Sequence, residues 1–210
     1  MNDRGALIII SGFSGVGKGT IVRRLTERYE DYVISISVTT RKPREGEVDG
    51  REYFYLTEDE FSEMAESGKL IEYAGYVGHH YGTPREPVEK ALAEGLNIIL
   101  EIEIQGALKV RAQYPDAILV FVLPPSVEEL KRRLDLRGTE SDREITHRLR
   151  RAAEEAEGIE EYDYILVNDD IEECVDRLHS IVECCTSRVE VNLDLIDRIR
   201  EELNRSLEGE

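Results

Sequence analysis

The chain has 210 residues, with 27 Lys+Arg against 45 Asp+Glu for a formal net charge of −18, and 40% of its residues are hydrophobic. Such a length fits one medium domain, or a core with inserted subdomains, that needs no disulfide staples. The acidity excludes sequence-independent affinity for nucleic acid or an anionic membrane, and the longest apolar run, residues 117–123, falls far short of the ~20 residues that span a bilayer.

The first expected strand, 7–11, is continuously apolar but too short for the core of a signal peptide. A glycine-rich turn and a helix over 18–28 follow it, then a second apolar strand, 33–38. Thr57 and Glu60 form a capping box for the next helix, with Leu56 and Phe61 spaced as a hydrophobic staple and Gly68 as its left-handed stop. Thr83-Pro84-Arg85-Glu86 repeats the pattern with proline at the first helical position, and Gly95 closes that helix. These signals define a helix-bearing insertion at roughly 37–88, between the second strand and a third at 97–103. Further strands are expected at 117–123 and 164–167, with helices at 106–112 and at 127–136, the latter opened by Ser126 and Glu129. Continuous apolar strands alternating with helices imply an α/β fold with a five-stranded, mainly parallel sheet covered on both faces. Cys174, Cys184 and Cys185 are odd in number and lack metal-ligand spacing, so they read as unreactive thiols of a cytoplasmic protein. In the tail, Val191, Leu195, Ile199 and Leu203 fall at helical spacing, as a helix docked on the core or a contact with a partner would require.

Two features carry chemistry. Gly12-Phe13-Ser14-Gly15-Val16-Gly17-Lys18 matches the first seven positions of the P-loop pattern, between an apolar strand and a helix. Glycines let the backbone curl so that successive N–H groups point inward, the helix N-terminus adds partial positive charge, and the lysine reaches the outer phosphates. Gly19 stands where Ser or Thr usually follows the lysine, with Thr20 next; this Gly-Lys-Gly-Thr ending resembles nucleoside monophosphate kinases, in which Mg2+ is held largely by phosphates and water. The second feature is a basic run of Lys131, Arg132, Arg133, Arg137, Arg143, Arg148, Arg150 and Arg151. Read alone it is a solvated helix face paired with Glu128 and Glu129; beside a phosphate loop it becomes the local exception that the global charge demands.

The segment Ser35-Ile-Ser37-Val-Thr-Thr-Arg41-Lys-Pro-Arg44 through Gly50-Arg-Glu-Tyr53 resembles the guanylate kinase signature almost residue for residue. The resemblance continues through Glu72, Tyr81-Gly82-Thr83, Glu103-Ile-Gln-Gly106, Arg137-Gly-Thr139 and Asn168-Asp-Asp170, and covers about residues 6–183. It implies a P-loop core (1–36, 89–125 and 152–186), a GMP-binding subdomain (37–88) and a lid (126–151), with 187–210 as a helical extension beyond it. Arg41 and Arg44, three apart beside a proline turn, suit a phosphate clamp of planar donor forks, and Tyr53 and Tyr81 offer hydroxyls to the same group. The resemblance places Glu72 against guanine, where a carboxylate accepts from N1–H and the 2-amino group, with Ser37 and Thr83 completing the contacts; Thr83 also suits a helix cap. Glu103 replaces the family's usual aspartate near the guanine amino group or metal-bound water. Adjacent His79 and His80 have no partner at metal-ligand spacing.

The function so implied is transfer of the ATP γ-phosphoryl group to GMP or dGMP, giving ADP and GDP in purine nucleotide metabolism. ATP would lie on residues 12–20 with Arg133 and Asn168, the latter at adenine. Lys18, Arg41, Arg137 and Arg148 would surround the transferring group, with Mg2+ carried by the nucleotide. ATP and GMP are the expected partners, with no nucleic acid and no membrane. The alternatives are a non-catalytic phosphopeptide-binding module of the same fold and a P-loop kinase for a phosphorylated sugar. An intact loop opposes the first and the guanine set Ser37, Glu72 and Thr83 the second.

Overall fold

A computed structural model describes residues 5–76, 78–135 and 142–208. Strand β1 (Leu7–Gly12) shows why its run is continuously apolar: Ile8 and Ile10 pack into one buried cluster, Leu7 and Ile9 into another. The strand has two cores, one on each face of the sheet. Helix α1 (Lys18–Arg28) follows, then β2 (Tyr32–Ile34), β3 (Val38–Thr39), β4 (Phe54–Tyr55), α2 (Glu58–Glu66), β5 (Leu70–Tyr76), β6 (His79–Pro84) and α3 (Arg85–Ala93). The second half comprises β7 (Asn97–Glu101), α4 (Ile104–Gln113), β8 (Ile118–Leu123), α5 (Val127–Asp135), α6 (Asp142–Ala156), β9 (Tyr164–Val167), α7 (Ile171–Thr186) and α8 (Leu193–Glu208).

Five strands form the first sheet in the order β2-β7-β1-β8-β9, with every pairing parallel. α1 and α7 contribute Ile21, Leu25, Val175 and Leu178 to one core, while α3 and α4 contribute Val88, Leu92, Ala107 and Val110 to the other. A second sheet, β4-β3-β6-β5, carries α2 on a small core of Val38, Phe61 and Leu70.

Three expectations need correcting. The apolar segment 33–38 is two strands in two sheets: Ser35 still donates from its N–H to Ile99, but by Ser37 the backbone accepts from Phe54. Apolar character is the same in both sheets, so the sequence pattern runs through the crossing. Thr83 does not cap α3; it is a buried residue of β6, and the helix opens after Pro84 with no side-chain cap. The tail helix does not turn all four of its expected apolar positions to the core. Val191 lies in a 3-10 turn before α8, while Ile199 and Leu203 are exposed. The box on α2 forms as expected, Thr57 and Glu60 exchanging bonds and Leu56 packing with Phe61.

Candidate active site

The phosphate loop joins β1 to α1 at the carboxyl ends of the sheet strands, where open α/β sheets bind ligands. Its shape depends on glycine at three places, the first being Gly12, at φ 149°, where a Cβ would stand 2.4 Å from the Val122 carbonyl oxygen. Gly17 caps α1 with φ 97°, and a Cβ there would stand 2.5 Å from the amide nitrogen of Asn168; Gly15, at φ 87°, would meet Leu134 at 2.7 Å. The Lys18 ammonium bends back over the loop and donates to the carbonyls of Gly12 at 2.6 Å and Phe13 at 3.2 Å. Gly12 is the last residue of β1, Val16 is fully buried, and Ser14, Gly19 and Thr20 face solvent. Phe13 packs edge-on against Phe121 and joins Leu130, Leu134 and Ala152, so the α5–α6 hairpin rests on the loop.

Two residues expected at ATP brace the loop. Asn168 is buried and donates from its amide to Val16 at 2.7 Å. Arg133 donates to the carbonyls of Val16 and Asn168, and its Nε to Glu129. Its forks hold backbone because α5 lies directly over the loop.

Beside the loop opens a cleft of about 1160 Å³. Ser37, Arg41, Arg44, Tyr53, Glu72, Tyr81, Gly82 and Glu103, drawn from the second sheet, its loops and the start of α4, all line it. In its wall Glu72 is buried, accepting from the Thr83 hydroxyl at 2.7 Å. Desolvation pushes its carboxyl above the ordinary range, opposed by the Thr83 bond and by Lys109. Arg41, in the same lining, makes a two-pronged pair with Glu47, both contacts at 2.9 Å, and its guanidinium lies over the Tyr53 ring. Glu47 also accepts from the Arg44 N–H and the Tyr55 hydroxyl. These bonds, led by that from Arg41, hold the Glu47 carboxyl at about 2. A hydrogen bond joins Tyr81 to the same guanidinium.

Helix α6 spans the two sides. Arg148 donates to the Ser14 hydroxyl of the phosphate loop at 2.8 Å. One turn later Arg151 grips both oxygens of Glu103 at 2.6 Å and reaches Glu155 at 3.1 Å. Arg137, expected beside them, lies outside the described residues. His80 pairs with Glu58 and stacks on Phe61.

Sequence reasoning missed Glu47 and Glu155, and gave Glu101 and Arg151 no individual role. Glu101 ends β7 beside the loop, 3.7 Å from where a Cβ of Gly19 would stand. It opens onto the cleft but is surrounded by its walls, so desolvation raises its carboxyl while Lys18 opposes the shift. Its signal was available: a carboxylate at the end of the apolar strand neighbouring β1. Glu47 left no comparable signal, because its value lies in pairing with Arg41 across a turn.

Comparison with known proteins agrees with this geometry. The family model described as guanylate kinase matches residues 4–184. The guanylate kinase of Caldanaerobacter subterraneus is 48% identical over 202 residues, 96% of this chain and 98% of that protein. That of Clostridium perfringens is 46% identical over 209 residues, 100% and 94% of the two chains, so the segment after residue 186 also has a counterpart there. Among solved structures, guanylate kinase from Anaplasma phagocytophilum superposes with a TM-score of 0.72 at 34% identity, covering 89% of this chain and 88% of that one. With a family model spanning most of its length and relatives near half identity over nearly all of it, this chain belongs to the guanylate kinase family.

Proposed function

We propose that the protein transfers the γ-phosphoryl group of ATP to GMP or dGMP, giving ADP and GDP. One observation carries the reading: a single cleft beside a phosphate loop is lined both by a buried carboxylate acceptor, Glu72, and by the Arg41–Arg44–Tyr53–Tyr81 group. Guanine presents N1–H and a 2-amino group as donors, matching Glu72 with Thr83 and Ser37 beside it. The acceptor phosphate would meet this cationic group, Arg41 and Arg44 supplying planar forks and the tyrosines hydroxyl groups. Residues 1–36, 89–125 and 152–186 would act as the core, 37–88 as the acceptor subdomain and 126–151 as the lid.

An oxygen of the acceptor phosphate attacks the γ-phosphorus as the bond to the β-phosphate bridging oxygen breaks, and ADP leaves with that electron pair. The reaction needs no covalent enzyme intermediate, so charge neutralisation and alignment supply the catalysis. Loop amides and Lys18 hold the donor phosphates, and Lys18 follows the charge as it moves to the leaving group. Arg148, already on the loop through Ser14, approaches the transferring group from the lid side and helps to exclude water, and the resemblance assigns Arg137 the same role. Mg2+ suits the donor set: Glu101 offers a hard carboxylate oxygen beside the loop, and among the described residues no cluster of three ligand groups would hold a metal alone. Held mainly by ATP phosphates and water, the ion would neutralise developing charge. No helix among the described residues is long and apolar enough to cross a membrane, which is consistent with action in the cytoplasm. The charge of −18 opposes any role for nucleic acid as partner.

A coupled ADP-release assay comparing GMP, dGMP, AMP and ribose phosphates tests the proposal. GMP and dGMP should drive turnover, while equal rates with AMP or with a sugar phosphate would overturn it.

A further inference from the structure

We infer that Gly106 is a positioning residue for base selection, because only a residue without a side chain leaves room for the Glu72 carboxylate at the wall of the cleft. This rests on the reading of Glu72 as the guanine acceptor. Gly106 lies in the first turn of α4, buried, at ordinary helical dihedrals that demand no glycine. Alanine is the better helix former at such a place. What the position lacks is space. A Cβ at residue 106 would stand 2.9 Å from Oε2 of Glu72, closer than such atoms pack, and 3.3 Å from its carboxyl carbon, a tight contact, so the carboxylate would have to shift.

The clash would fall on the oxygen that matters. Oε1 is held by the Thr83 hydroxyl at 2.7 Å, whereas no hydrogen bond to Oε2 is found among the described residues. Oε2 is thus the oxygen left to meet a donor entering the cleft that both Glu72 and Gly106 line. A carboxylate at the end of a flexible side chain yields more easily than the backbone of α4 beneath it. A methyl group at 106 therefore turns Glu72 away from its working position, at the expense of the Thr83 bond, and leaves the helix standing. Positional errors of this size cost a hydrogen-bonding site its selectivity, because the substrate's donors lose their partner.

The test is steady-state kinetics with GMP and AMP, GMP binding by calorimetry, and thermal melting, on the parent, Gly106→Ala, Glu72→Ala, the double variant Glu72→Ala/Gly106→Ala, and Glu72→Gln. Gly106→Ala should raise KM for GMP at least ~10-fold, weaken GMP binding in parallel, narrow the preference over AMP, and leave KM for ATP and the melting temperature near parental values. Adding Gly106→Ala to Glu72→Ala should change KM for GMP less than twofold, because the carboxylate is already gone. That comparison holds even if Gly106→Ala melts lower, because a general fold defect would weaken GMP binding with or without the carboxylate, whereas displacement of Glu72 acts only when the carboxylate is present. An unchanged KM for GMP in Gly106→Ala, or an equally large effect without the carboxylate, would overturn the inference. Unchanged base preference in Glu72→Gln would instead overturn the guanine reading on which it rests.

Discussion

On the proposed reading, the donor site and the acceptor site are built on different principles. The donor side would be one contiguous segment, Gly12 to Thr20, whose useful groups are largely main-chain amides plus Lys18. The acceptor side, in the cleft beside that loop, would be assembled from the chain on either side of β3, from β5, β6 and the start of α4, and its useful groups are side chains. A backbone site tolerates little change in glycine but depends little on distant residues. A side-chain site depends on supports: Glu47 for Arg41, Thr83 and Gly106 for Glu72. Arg148 and Arg151, one turn apart on α6, connect the two.

The contrast predicts where damage should appear. On the donor side, Lys18→Met should lower kcat at least ~100-fold with the fold and GMP affinity retained, because the lysine follows charge that moves only during transfer. Near-parental turnover in that variant would remove the loop from the mechanism. On the acceptor side, Glu72→Gln keeps size but turns an acceptor into a donor. Its kcat/KM for GMP should fall by about 2–3 kcal/mol, the range for a charged hydrogen bond left unmade, with KM for ATP unchanged. If both nucleotides weakened equally, the separation of the two sides would fail.

Glu47→Gln probes support rather than contact. Losing the charge that pairs with Arg41 should raise KM for GMP on the order of tenfold while kcat moves less, since the Arg41 fork is loosened but present. A fall in kcat at constant KM would place Glu47 in the transferring step instead. Its titration sharpens the point. The folded-state value of about 2 lies below the ordinary 4.5, so the stabilisation is fully present above about pH 4.5 and fades as pH falls toward 2. The difference in melting temperature between the parent and Glu47→Gln should therefore shrink between pH 5 and pH 3. Glu72 is shifted the other way by burial, so the acid limb of kcat/KM for GMP should lie above 4.5 and vanish in Glu72→Gln. The smallest effect belongs to the tail. A chain ending at Thr186 should keep activity within about twofold and melt lower, because α8 leaves Ile199, Leu203 and Leu207 exposed and lies away from the cleft residues. Loss of activity in a folded truncation would show that the tail reaches the site.

The sequence by itself determined the parallel α/β fold, since a strand buried on both faces must be continuously apolar, as Ile8, Ile9 and Ile10 are. It also determined α1 to the residue and the box on α2, because periodicity and capping act within a few residues of chain. The phosphate loop was legible for the same reason: its geometry is local. Tertiary structure alone decided that 33–38 divides between two sheets, because apolar residues do not record which sheet they join. It decided that Thr83 serves Glu72 rather than α3, since one hydroxyl suits either partner and only the pairing of β5 with β6 brings the carboxylate within 2.7 Å. Likewise Asn168 and Arg133 read as ligand contacts in one dimension, and only the packing of α5 and β9 over Val16 shows that they brace the loop. A side chain's chemistry is written at its own position, but its partner is fixed by long-range packing, and that is why Glu47, and the partners of Arg151 and Gly106, emerged only in three dimensions.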